Sequence, residues 1–267
     1  MHFIHIFLQI KQPIIVYNNT SRSAILIIGA VVGFLSGLLG KGGSAITTPA
    51  LQIFTGMNPF AALASPLPAT LPTTLSASFA YSKAKLINKR VVAGSIIAGI
   101  PATFLGSFCS DWIDGNILMI MTAIFVLTLG LSFFFTSRHD FSAANMIPGW
   151  KIAVIAVSVG FLSGLLANSG GVLFGPLFIR VLKMPAKQAL ASSLLVAAGL
   201  AIPGTIAHWY LGHISWPVVL LLSISSIPFS YLGARLALRM ENRLLEIVFG
   251  IMLVVFSGYD LWYCITR

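Results

Sequence analysis

A seven-residue sequence, Gly-Phe-Leu-Ser-Gly-Leu-Leu, occurs twice in this chain, at 33–39 and again at 160–166. The offset of 127 residues persists beyond the heptad, and 24 of the 74 positions from 33 to 106 are identical to their counterparts without a gap. Shared apolar composition alone gives far fewer identities. The chain is therefore one structural unit used twice, and in membrane proteins such duplication often places a binding site between the halves.

The composition places both units in a membrane. Of the 267 residues, 57% are hydrophobic and only 8% are charged, whereas about a quarter of the residues of a soluble domain are charged. The charges lie between apolar runs that are about as long as the 20 residues needed to cross a bilayer core. We therefore predict an all-α, polytopic integral membrane protein with the lipid bilayer as its surroundings.

Several classes of function are excluded by the polar residues. The net charge of +10 is interpreted as basic loops retained on the cytoplasmic side and not as a nucleic-acid site, because no basic patch is interleaved with aromatic residues. Cys109 and Cys264 lie at the ends of apolar segments, without the spacing of a metal site or a disulfide. The predicted spans hold no paired carboxylates and no Ser/His/Asp set. The sequence predicts no enzyme, no cofactor, no metal and no nucleic-acid partner.

Each unit divides into five apolar segments, of which the first two are short for a membrane span. Residues 1–23 are interpreted as an interfacial extension, 24–136 as repeat 1, 137–151 as a cytoplasmic linker and 152–267 as repeat 2. The predicted segments are 24–40, 45–55, 60–82, 91–109 and 117–136, followed by 152–167, 172–182, 189–211, 218–238 and 244–264.

The loop charges predict that the two repeats are inverted. Between the third and fourth segments, repeat 1 carries Lys83, Lys85, Lys89 and Arg90, whereas the matching loop at 212–217 has no basic residue. Between the fourth and fifth segments the bias reverses, with two aspartates in repeat 1 and three arginines in repeat 2. By the positive-inside rule, matching loops then face opposite sides of the membrane, and a pseudo-two-fold axis in the membrane plane relates the repeats. The first two segments must cross an even number of times, as two full spans or as a hairpin that dips in and returns.

A glycine-rich break separates the first two segments of each repeat. It reads Gly-Lys-Gly-Gly-Ser at 40–44 and Ala-Asn-Ser-Gly-Gly at 167–171. Non-helical backbone in the bilayer is tolerated only where protein buries it or where water and substrate reach it. At mid-depth, freed N–H groups and the positive end of the following half-helix would converge on one anion. With the serines that start the third segments, the candidate substrate-binding residues are Gly40, Lys41, Gly42, Gly43, Ser65, Asn168, Ser169, Gly170, Gly171, Ser192 and Ser193.

Two features of these breaks have more than one interpretation. In a cavity that holds an anion, Lys41 would bind the ligand, and this would offset the cost of about 2.5–3.5 kcal/mol for a lysine at the bilayer centre. At the membrane surface, the Lys41 side chain would reach the headgroups instead. The glycines before the break, Gly29, Gly33 and Gly37, are spaced by four and are interpreted as a close packing surface between two helices.

The repeated heptad, the glycine break and the Ala-x-Ala-Ser sequences that start at Ala62 and Ala189 together resemble the sulfite exporter TauE/SafE family of membrane transporters. The resemblance covers essentially residues 24–264. It implies export or permeation of small anions, with sulfite and organosulfonates as the family's named substrates. Lys41 replaces the apolar residue that is usual in the first break, and Asn168 makes the second break more polar.

These observations predict a transporter or facilitator that exports a small anion across the plasma membrane. The anion would lie between the two breaks while the repeats rock about it to alternate access. Two alternatives stay open, an anion channel and a non-transporting membrane scaffold subunit. The sequence also leaves open which anion is carried and whether the chain forms a homo-oligomer.

Overall fold

The computed structural model describes residues 19–40, 59–109, 147–166 and 170–265, together with isolated residues between 47 and 57 and between 120 and 134. In these residues the chain is helical and contains no strand, which confirms the all-α prediction. The continuous helices are α1 (Asn19–Leu39), α2 (Pro59–Ala64), α3 (Pro66–Lys83), α4 (Lys89–Cys109), α5 (Gly149–Leu165), α6 (Gly171–Arg180), α7 (Ala186–Tyr210), α8 (Trp216–Arg239) and α9 (Asn242–Ile265).

Five of these helices, α1, α4, α7, α8 and the larger part of α9, are long and apolar enough to cross a membrane. The prediction that the first segment starts at Ala24 and is short is wrong, because α1 begins at Asn19 and has 21 residues. At 1.5 Å per residue such a helix extends about 31 Å, the thickness of a bilayer core. Hydropathy misses this first turn because its residues, Asn-Thr-Ser-Arg-Ser, are polar although they are helical.

The predicted continuous segment 60–82 is also corrected, since it consists of two helices that meet at Ser65. Pro66 and Pro68 follow the junction, and a proline has no N–H to donate to the carbonyls of the preceding turn. Ser65 itself closes the last turn of α2 by donating its N–H to the Ala61 carbonyl at 3.0 Å. In repeat 2, where neither proline is present, α7 runs unbroken through the equivalent position.

Small residues let α1 pack on α8, and α5 pack on α4, with their backbones in contact. A Cβ atom added at Gly37 would fall on the Ser230 carbonyl oxygen and 2.9 Å from the Ala234 nitrogen. At Gly164, the counterpart of Gly37, it would fall on the Thr103 carbonyl oxygen. A side chain larger than hydrogen at either position would force the two helices apart, which confirms the predicted packing role of the glycines.

The contacts also give the directions of the helices. Gly29 meets Leu222 in the first half of α8, and Gly37 meets Ser230 further along, so α1 and α8 run parallel. The counterpart helices α5 and α4 run parallel in the same way.

Helices α3 and α7 run in opposite directions. The side chain of Leu67, at the start of α3, reaches Gly204 late in α7. Tyr81 at the end of α3 and Ser193 early in α7 both donate hydrogen bonds to carbonyls at the end of α1. The start of each helix therefore lies beside the end of the other.

The buried apolar side chains form two main clusters. The larger one surrounds α7 and includes side chains of α6 and α9. The second lies between the first halves of α1 and α8. Of the predicted segments, most of 45–55 and 117–136 lies outside the described residues.

Candidate functional site

Two serines of the predicted site, Ser65 and Ser192, make equivalent hydrogen bonds. The Ser65 hydroxyl accepts the N–H of Ser215 at 2.9 Å, and the Ser192 hydroxyl accepts the N–H of Asn88 at 3.1 Å. Asn88 and Ser215 are counterparts, and each immediately precedes a long helix of the repeat to which its serine does not belong. Both serines are fully buried. Each one satisfies an N–H group that helix geometry leaves unpaired, and its own proton stays available to donate.

Gly40 and Ser193, two further predicted residues, lie in direct contact. The Ser193 hydroxyl donates to the carbonyls of Gly40 and of Leu190, each at 2.9 Å. Gly40 has a φ of +64°, a conformation that favours glycine. A Cβ atom there would lie 2.8 Å from the Leu190 Cα. The described edge of the first glycine break is therefore fixed against α7.

Gly170 and Gly171 lie at the start of the short helix α6. Gly170 has a φ of +69°, and its carbonyl accepts the N–H groups of Leu173 and Phe174. A Cβ atom at Gly170 would lie 3.1 Å from the side chain of Val159, which is well inside α5. Helix α6 thus starts within the bundle, beside the middle turns of α5.

The remaining predicted residues, Lys41, Gly42, Gly43, Asn168 and Ser169, lie outside the described residues, and their roles stay predictions.

Ser65 and Ser192 are not brought together. The side chain of Leu67, two residues after Ser65, lies beside Gly204 in α7. Gly204 lies more than three turns along α7 from Ser192, or about 18 Å of helix rise. One small anion could not bind both hydroxyls at once.

A narrow cleft lies between α1, α3 and α8. Helices α1 and α3 come from repeat 1 and α8 from repeat 2, so the cleft is at a contact between the repeats. Its polar lining residues are Ser36, Thr47, Thr70, Thr73 and Ser226, and the others are Gly29, Val32, Pro66, Ala69 and Leu222.

The hydroxyl groups of the cleft differ in how far they are already bonded. Thr70 and Thr73 donate to backbone carbonyls one turn earlier in α3, and Thr73 also contacts the Ser226 hydroxyl. The Ser36 side chain is 1% exposed, and its oxygen finds no partner in the part of the chain that the structure describes. A buried hydroxyl left without a partner costs about 1–3 kcal/mol. Ser36 is therefore the group of this cleft with most to gain from a ligand.

The lining residues that the structure describes carry no charge. Among the described residues, Arg243 forms an ion pair with Glu246 at 3.5 Å at the start of α9. Over the same described ranges, no three histidine, cysteine or acidic side chains come together as a metal site. The described lining is therefore mainly apolar, with a few hydroxyl groups that are able to form hydrogen bonds with a small solute.

The equivalent place in the other half of the molecule is filled by apolar side chains. Across the repeat offset, Thr47 corresponds to Phe174 and Thr73 to Leu200. Phe174 and Leu200 are 0% exposed and belong to the larger core cluster. The hydroxyl lining is therefore a property of one side of the duplicated structure.

The sequence prediction does not include the five hydroxyl residues of the cleft. Ser36 lies inside the repeated heptad, whose identity in both copies is explained by packing. The threonines could have been found by comparing the copies, because Thr47, Thr70 and Thr73 stand opposite apolar residues in repeat 2.

A bundle of membrane-length helices with a polar cleft between its repeats is typical of membrane transporters. A sequence profile of the Sulfite exporter TauE/SafE family matches residues 25–259. The chain belongs to this family, and the resemblance predicted from the heptads and the breaks is confirmed.

Several relatives match almost the whole chain. The probable membrane transporter protein YunE of Bacillus subtilis (strain 168) is 24% identical over 256 residues, which cover 86% of this chain and 94% of YunE. A probable membrane transporter protein of Xylella fastidiosa (strain Temecula1 / ATCC 700964) is 28% identical over 252 residues, with 91% and 97% covered. The probable membrane transporter protein YfcA of Escherichia coli (strain K12) is 22% identical over 236 residues, with 88% and 87% covered. No solved structure matches the chain significantly.

Proposed function

We propose that the protein is a multi-pass transporter of the plasma membrane that exports a small anion of the sulfite or organosulfonate class. The family assignment supports transport. The observation that carries the proposal is the hydroxyl-lined cleft at the contact between the repeats, with the unpartnered Ser36 in it. Substrate sites of transporters built from two repeats typically lie at the interface of the repeats, and here residues from both repeats line the same space.

We infer that the repeats, 24–136 and 152–267 with the linker 137–151, are inverted relative to each other. The paired contacts support this relation. The Ser65–Ser215 and Ser192–Asn88 hydrogen bonds are counterparts with the two repeats exchanged. The contacts of Gly33 and Gly37 with α8 are likewise matched by those of Gly160 and Gly164 with α4, as expected for a two-fold axis. The equivalent helices α3 and α7 run in opposite directions. An axis in the membrane plane has this effect, whereas an axis along the membrane normal would leave them in the same direction.

The positions of the basic residues support a cytoplasmic assignment for one end of the bundle. At this end of the bundle, the start of α7 lies beside the start of α4 and the end of α8. The start of α5 lies beside the first turns of α4. Of the twelve lysines and arginines that the structure describes, all except Arg22 lie at or near this end. They are Lys83, Lys85, Lys89, Arg90, Lys151, Arg180, Lys183, Lys187, Arg235, Arg239 and Arg243. Basic residues are retained in the cytoplasm, and both chain ends then lie outside.

Export of an anion from a cell that is negative inside needs no further energy source. The membrane potential supplies about 2.3 kcal/mol per charge per 100 mV. For one charge this sustains a gradient of roughly fiftyfold.

The first test of this proposal is anion flux. The full chain is reconstituted in proteoliposomes loaded with sulfite or methanesulfonate, and the potential is clamped. We expect efflux above that of protein-free vesicles and acceleration when the interior is made negative. Currents in planar bilayers far above transporter turnover would favour the channel alternative. Absence of flux for every anion, together with a stable protein partner in detergent, would favour the scaffold alternative.

The inversion is tested by labelling two counterpart turns. Ala84→Cys and Leu211→Cys are introduced separately into a chain in which Cys109 and Cys264 are replaced by serine. We expect a membrane-impermeant thiol reagent to label the cysteine at 211 in intact cells, and the cysteine at 84 only after permeabilisation. Labelling of both from the same side would contradict the inversion.

A further inference from the structure

The lining of the cleft between α1, α3 and α8 bears on the charge of the ligand that the cleft can bind. None of the described residues that line it is charged, and its three wall helices contribute only hydroxyl groups, glycine, proline and apolar side chains. An anion bound there exchanges its water for a few O–H donors. It finds no cation among these residues to compensate for the charge.

The free energy needed to remove an ion from water rises with the square of its charge. For the same radius, a dianion therefore loses about four times as much hydration free energy as a monoanion. The donors of the cleft cannot offset this difference, because a hydrogen bond to an anion gains at most in proportion to the charge. A neutral site of this kind selects the lower charge.

The number of donors points the same way. Thr70 and Thr73 already donate to backbone carbonyls, so their protons are not available to an anion. The Ser36 hydroxyl has no hydrogen-bond partner among the described residues. The Ser226 hydroxyl contacts the Thr73 hydroxyl and donates to the Ser223 carbonyl. One or two donors suit an oxyanion with a single delocalised charge and leave a doubly charged one underbonded.

The place equivalent to the cleft in the other half does not offer a second site. Phe174 and Leu200 occupy the positions of Thr47 and Thr73 and are fully buried. Among the described residues, the hydroxyl lining therefore belongs to the side formed by α1, α3 and α8.

We infer that the cleft between α1, α3 and α8 is the substrate site and that it accepts monovalent oxyanions in preference to divalent ones. This inference rests on the proposed function. It assigns to the site bisulfite and not the sulfite dianion, and singly charged organic oxyanions and not sulfate.

The test compares three probes in proteoliposomes that contain the full chain, with the potential clamped. Methanesulfonate carries one charge and sulfate two across the neutral range, whereas sulfite changes from one to two charges as the pH rises through neutrality. We expect methanesulfonate flux at least about tenfold faster than sulfate flux. Sulfite flux should fall as pH rises, while methanesulfonate flux stays constant and so reports that the protein itself is unchanged.

Matched variants connect this preference to the cleft. Thr70 and Thr103 both donate to the carbonyl four residues earlier, and both are buried, but only Thr70 lines the cleft. We expect Thr70→Val to change methanesulfonate flux severalfold and Thr103→Val to leave it near the wild-type rate. The ratio of methanesulfonate to sulfate flux should persist in Lys41→Gln.

Each failure has a distinct meaning. If no anion is transported, the proposed function is wrong. If sulfate and methanesulfonate move equally fast, the function stands and the charge preference is wrong. If Lys41→Gln abolishes the ratio, the selectivity belongs to Lys41 and not to the neutral cleft. If Thr70→Val and Thr103→Val behave alike, the cleft is not the substrate site.

Discussion

Replacement of Ser36 by alanine is expected to weaken anion transport at least about tenfold without lowering the stability of the protein. A hydrogen bond to a charged group contributes about 1.5–3 kcal/mol, and 1.4 kcal/mol corresponds to a factor of about ten in affinity. The Ser36 hydroxyl is buried and has no partner among the described residues, so the folded protein loses no hydrogen bond. The measurements are the KM for methanesulfonate efflux and the midpoint of thermal unfolding in detergent.

The controls for this prediction are two serines of the same kind elsewhere. Ser78 and Ser95 are also buried without a partner among the described residues, and neither lines the cleft. We expect Ser78→Ala and Ser95→Ala to transport like the wild type. An equal loss of transport in all three variants would show that Ser36 acts through general packing, and the assignment of the cleft would then have to be abandoned.

Replacement of Gly37 by leucine is expected to prevent folding. A Cβ atom at this position meets the backbone of α8 at Ser230 and Ala234, and backbone atoms cannot rotate away as a side chain can. Even Gly37→Ala should cost about 3 kcal/mol, near the upper range for overpacking. For a chain of this size that lowers the unfolding midpoint by about 6–12 °C. Size-exclusion chromatography of the detergent-solubilised protein should show a folded peak for alanine and aggregate for leucine.

Gly258 provides the matched control. It lies inside α9, and a Cβ atom added there has no atom within 4 Å. Alanine has the higher helix propensity, by about 1 kcal/mol, so Gly258→Ala should fold at least as well as the wild type. Equal behaviour of the two alanine variants would contradict the close approach of α1 and α8.

Membership of the family and the helical membrane fold could be predicted from the sequence, because both depend on features that repeat along the chain. The spacing of Gly29, Gly33 and Gly37 places them on one helix face, and their packing role follows from that spacing. The start of α1 at Asn19 could not be predicted, because a hydropathy profile shows where the sequence becomes apolar and not where a helix begins. The break at Ser65 depends on the prolines that follow it, and they are present in only one copy.

The candidate site was less accessible to prediction. The sequence predicts a site made of the two glycine breaks and the shared serines Ser65 and Ser192, and the structure uses these two hydroxyls to join the repeats. The cleft instead contains Thr47 and Thr73, where the copies differ. Which of two equivalent places stays open depends on the volume of side chains packed in three dimensions, and no spacing along the chain reports that volume.

The serine hydrogen bonds have a consequence for how such a chain could arise. Ser65 satisfies a backbone group before α8, and Ser192 satisfies one before α4, just as the glycine faces of α1 and α5 are covered by α8 and α4. The closest contacts of each repeat are thus made with the other repeat. A single ancestral copy would have left these surfaces bare, and pairing with a second copy would have covered them. The present chain is, in this sense, a dimer whose two subunits have been joined into one polypeptide, and duplication let the halves diverge, so that only one of them has threonines at positions 47, 70 and 73.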